Sequence, residues 1–128
     1  MNWLLAGLVA AGIAYLLNQF TYRLWQKYTI IGAVPLIEEV AKTMTAYFFG
    51  ADYFYTHFIF GVIEGSLDAL ADHGGWLPAL SAVFAHSLLG WVTERVINET
   101  NMLGAGILAA IIVHIVWNIA LLFRTAKR

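Results

Sequence analysis

Residues 30–50, IIGAVPLIEEVAKTMTAYFFG, place two glutamates and a lysine in the middle of an apolar stretch. About 20 apolar residues in a helix span a bilayer. A charge near the bilayer centre costs a few kcal/mol or more, so Glu38, Glu39 and Lys42 need partners or a function there. Lys42 follows Glu38 by four residues and Glu39 by three, so both carboxylates reach the ammonium along one helix face. Adjacent carboxylates in a low dielectric resist double ionisation, so one of the two is expected to hold a proton at neutral pH. Such a pair is suited to general acid–base work. The bland alternative is an internal ion pair in a packed helix.

The rest of the composition agrees with a membrane chain. Hydrophobic residues are 61% of the 128, charged residues 12%, and the mean hydropathy is +0.73. Soluble domains are nearer half apolar and a quarter charged. The expected class is all-α: one polytopic membrane domain over 1–128, a bundle of about five transmembrane helices. A net charge of −1 leaves no nucleic-acid footprint. The absence of cysteine excludes disulfides and thiolate sites. No repeat, linker or low-complexity run interrupts the chain.

The expected helices cover about 3–20, 30–50, 53–71, 79–97 and 102–123. The first lacks the positive start of a signal peptide and reads as a retained helix. Its Ala6, Ala10 and Ala14 form a small-residue stripe that allows a homodimer. Residues 21–29 read as a basic, aromatic connector, and Pro35 as a bend before the glutamates. In the third helix His57, Glu64 and Asp68 share a face. Glu64 is the deepest and is the functional candidate, while His57 reads as interfacial. Residues 72–78, with His73, read as a turn, as do 98–101. His86 is the buried polar anchor of the fourth helix. His114 and Asn118 lie one turn apart on the fifth. With Arg23, Lys27, Arg124, Lys127 and Arg128 inside, the N-terminus lies outside and the C-terminus in the cytoplasm of a multi-pass cell-membrane protein.

Glu39, Glu64, His86 and His114 each lie about eight or nine residues from the same end of their helices, roughly 12–14 Å deep at 1.5 Å per residue. One shared site explains this better than four separate accidents, although a satisfied polar network that fixes helix registry is also consistent with it. A glutamate there can take a proton from water and a histidine can relay it. His114 and Asn118 offer donors to a developing oxyanion. The expected cofactor is none, with zinc as the runner-up, since a Glu/His cage suits that ion.

In order, EExxK (Glu38-Glu39-Val40-Ala41-Lys42), FxxxE (Phe60 to Glu64), His86 on the next helix and HxxxN (His114 to Asn118) resemble the PrsW-type membrane proteases. These are similar to the type II CAAX prenyl endopeptidases and related CPBP proteins, whose pattern is EExxxR, FxxxH and HxxxN. The resemblance covers 38–118 and implies a metal-independent intramembrane glutamate peptidase. Carried over, Glu38 activates water, Glu39 supports it and Lys42 holds the pair. Glu64 orients or shares a proton with the water, His114 and Asn118 form the oxyanion site, and His86 completes the cluster. Lys42 and Glu64 stand where the CAAX enzymes have arginine and histidine, so prenylated substrates are not implied.

The expected function is therefore an endopeptidase acting on a membrane protein or membrane-bound peptide near the cytoplasmic face. The expected partners are that substrate and the lipid bilayer. Two other classes use the same residues: a non-catalytic binding or immunity module, and a proton-linked transporter component.

Overall fold

The computed structural model describes residues 2–25, 31–71 and 76–125. Among these residues it has five helices and no strand: α1 Asn2–Trp25, α2 Ala33–Phe49, α3 Tyr53–Leu70, α4 Trp76–Thr100 and α5 Leu103–Thr125. Three are long and apolar enough to cross a membrane, over Asn2–Leu24, Trp76–Thr100 and Leu103–Phe123. α2 is shorter, at 17 residues, and carries three charged residues.

Several boundaries differ from expectation for identifiable reasons. α1 continues through 21–25, where a connector is expected; the stretch TYRLW holds no glycine or proline to stop a helix. The remainder of that connector, 26–29, lies outside the described residues, as do 72–75 with His73. Pro35 does not bend a helix interior. It sits in the first turn of α2, where a missing N–H breaks no ladder bond. Trp76, Leu77 and Pro78 are already helical. The polar run 98–101 is mostly the end of α4, and the reversal is made by Asn101 at φ 55°, a left-handed position that asparagine tolerates. The α2–α3 connection is equally tight. Gly50 takes the left-handed conformation at φ 56°, and Asp52 caps α3 by accepting the Tyr55 N–H at 2.9 Å.

The helices pack as a bundle in which α1 lies on α2 and α3, α4 on α3 and α5, and α2 also meets α5. Small residues set the spacing. Ala6, Ala10 and Ala14 are buried along one face of α1, and Gly7 leaves room for Ile59 of α3. The stripe is thus occupied within the chain, which removes the observation that suggested a homodimer. At the α3–α4 contact, a Cβ on Gly61 would lie 2.8 Å from His86 Cβ, and one on Gly90 2.7 Å from His57 Cβ. These two glycines let the histidine-bearing backbones come together.

Polarity runs from inside to outside. α2 buries Glu38, Glu39, Lys42, Thr43 and Thr45 and turns Leu36, Val40, Tyr47 and Phe48 outward. Leu16, Phe20, Leu70, Phe84, Trp91, Leu108, Val116 and Phe123 are likewise exposed. Soluble proteins rarely show apolar surface on this scale or bury this many charges.

Candidate functional site

The buried charged and histidine side chains meet in one cluster. Lys42 Nζ lies 2.6 Å from Glu39 Oε1 and 2.8 Å from His86 Nδ1. An ammonium only donates, so His86 Nδ1 accepts and its Nε2–H points at Glu64 Oε2, 2.5 Å away. His114 Nδ1 lies 2.7 Å from the same Glu39 Oε1 and donates to it. Glu39 therefore ties α2 to α5, and Lys42 ties α2 to α4. Phe60 of α3 closes the cluster over Lys42, with the ammonium 4.6 Å from its ring centre and the His86 ring 5.0 Å away.

The two glutamates divide their roles. Helix spacing predicts that Lys42 holds both, but Lys42 bonds Glu39 and His86 instead. Glu38 Oε1 accepts from Asn18 Nδ2 of α1 at 3.0 Å. Its other oxygen, Oε2, is buried without a hydrogen bond among the described residues. It stands 4.0 Å from His86 Nε2 and 4.0 Å from His114 Nε2. Among the expected site residues, Glu38 and Glu64 also line a cavity of about 440 Å³ between α1, α2 and α3. Its walls are Ala11, Ala14, Phe60, Ile63 and Leu67, with Asn18, Gln19 and Arg23 among its polar lining. Asn118 is half-buried one turn beyond His114 and does not line this cavity.

Two residues escape the sequence argument. His57, expected at the interface, is fully buried. Its Nδ1 is 3.5 Å from Glu39 Oε2 and its Nε2 3.4 Å from Thr43 Oγ1. Asn18 lies on the helix that shows no chemistry in the sequence. A signal for it exists, because 6, 10, 14 and 18 are evenly spaced by four and share the buried face of α1.

Glu38, Glu39 and His114, and separately Glu38, Glu64 and His86, bring ligand-type atoms within 4.8 Å of one another. Carboxylate and imidazole are zinc donors. In the first group, the Lys42 ammonium already holds the Glu39 oxygen. Comparison with family models, curated proteins and solved structures found no match to this chain.

Proposed function

We propose that the chain is a five-span membrane protein and a glutamate-dependent intramembrane endopeptidase. The observation that carries this reading is the Glu38 carboxylate. Oε1 is anchored on Asn18, Oε2 is buried without a hydrogen bond among the described residues beside two imidazoles, and the residue itself lines a cavity. Glu39 also keeps one oxygen, Oε2, without a hydrogen bond among the described residues, 3.5 Å from His57 Nδ1. Its Oε1 is held by Lys42 and His114, however, and it does not line the cavity, which favours Glu38 as the base and Glu39 as its support.

In this mechanism a water bound at Glu38 Oε2 gives that oxygen a proton as its own oxygen adds to the scissile carbonyl. The oxyanion is received by His114 Nε2–H, which stands 4.0 Å from Glu38 Oε2. Because His114 Nδ1 already donates to Glu39, Nε2 carries a hydrogen only as imidazolium. The proton on Glu38 then passes to the amide nitrogen as the C–N bond breaks, which leaves a carboxylic acid and an amine. Lys42–His86–Glu64 forms a hydrogen-bonded path from the buried centre to Glu64, whose side chain is 37% exposed. No metal takes part in these steps.

The substrate is a membrane-embedded or membrane-bound peptide. The inside-out polarity of α2 supports counting it among the spans. The cluster lies toward the end of the bundle that carries Arg23, which the positive-inside rule places at the cytoplasmic face, with the N-terminus outside. Labelling of a Glu99→Cys variant only from the cytoplasmic side would reverse that orientation.

The test is cleavage of single-span peptides by the full chain in proteoliposomes. Glu38→Gln and His114→Ala are expected to lower the rate about 10²–10⁴-fold while the protein stays folded. Retained cleavage in both variants would end the reading.

A further inference from the structure

We propose that Asn18 is a positioning residue for Glu38, so that α1, which carries none of the motif residues, completes the site. The kinetic consequence rests on the peptidase reading above.

Glu38 has lost the partner that helix spacing offers it, because Lys42 is engaged by Glu39 and His86. Its hydrogen bond in the described structure comes from Asn18 Nδ2, 20 residues away on another helix. A carboxylate held at one oxygen keeps its plane, and here that plane sets Oε2 4.0 Å from both His86 Nε2 and His114 Nε2. Without the anchor, rotation about the terminal bond is broad and swings Oε2 off the imidazoles. Asn18 has no competing attachment among the described residues, since its Oδ1 is buried without a partner. Reversing the amide would set that oxygen against a carboxylate oxygen, so the N–H faces Glu38.

The local sequence builds this contact. Ala6, Ala10 and Ala14 keep α1 close to its neighbours, and Asn18 continues the same face. A short side chain then suffices to reach α2. Asn18 and Glu38 both line the cavity.

The test uses the full chain in detergent, as wild type, Asn18→Leu and Asn18→Ser, with two readouts. The first is labelling by dicyclohexylcarbodiimide, mapped by mass spectrometry, with Glu64 in the same sample as reference. A protonated carboxyl adds its O–H across one C=N bond of the reagent, and the adduct rearranges to a stable N-acylurea. A donated N–H favours the ionised form, so its removal raises labelling. Asn18→Leu is expected to raise the Glu38-to-Glu64 ratio several-fold, and Asn18→Ser, which keeps a short donor, less. The second readout is cleavage of a quenched-fluorescence single-span peptide. For Asn18→Leu, kcat should fall about tenfold or more with KM unchanged, the size expected for a hydrogen bond to a charged group. A wild-type labelling ratio and wild-type kcat in Asn18→Leu would overturn the proposal. So would losses in both variants that simply track a lower melting temperature. If the wild type cleaves no peptide, the peptidase reading fails and the labelling ratio still decides the role of Asn18.

Discussion

At the scale of single residues, two adjacent glutamates with identical chemistry have different partners: Glu38 takes Asn18, and Glu39 takes Lys42 and His114. Glu39 is fully buried between Lys42 and His114. Removing its charge strands an ammonium in the interior, and breaking a buried pair in this way destabilises by about 3–5 kcal/mol. Glu38→Gln keeps an acceptor for Asn18 and loses only the basic oxygen, so its stability should change by less than about 1 kcal/mol. Thermal unfolding in detergent should therefore separate them: Glu39→Gln melts well below wild type, and Glu38→Gln close to it. Equal melting of the two variants would contradict this division. A binding module with a purely structural cluster would instead lose stability and partner capture together at either position. The cluster was legible in the sequence because charges in apolar helices stand out and their depths agree. Asn18 was less so, because an uncharged amide near a helix end resembles any interfacial polar residue. His57 was misjudged for a related reason. It sits one turn into α3, but the glycine at 90 lets α4 close over it.

At the scale of elements, the sequence drew attention to the small residues of α1, while the histidine geometry is set where α3 meets α4. Gly61 and Gly65 face α4, and Gly61 accepts the His86 Cβ. Both glycines flank Glu64 in GVIEG, so the same turns supply the acid and the space for its histidine. Gly61→Ala puts a methyl against backbone atoms of Ala82 and Val83 as well as His86, and none of these is a flexible tip. Overpacking of this kind costs about 1–3 kcal/mol. The variant should melt lower and also lose activity, because the shift separates His86 from Glu64. Wild-type stability and cleavage in Gly61→Ala would mean that the close approach is not required. Helix ends were the least legible feature. Helices run on through 21–25 and 98–100, whose polar composition suggests loops but which hold no glycine or proline to stop them.

At the scale of the whole molecule, the chain wraps apolar helices around a charged centre. Three helices satisfy length and apolarity on their own, and α2 hides its charges behind an apolar outer face. The arrangement was foreseeable as an all-helical bundle, since apolar length and the alternating direction of short-linked helices dictate it. Which neighbour each side chain chooses was not, because helix rotation is decided by packing. The central claim is that a carboxylate, not a metal ion, activates the water. Three carboxyls and one ammonium carry net negative charge when all are ionised, which a proton on a carboxyl or an imidazole, or a bound cation, would offset. The most direct measurement is elemental mass spectrometry of cleavage-active protein purified in detergent, as wild type and Glu38→Gln. The account predicts no stoichiometric zinc or other transition metal in either. About one metal ion per wild-type chain, lost in Glu38→Gln, would contradict it and make the same residues the ligands of a metal-bound water.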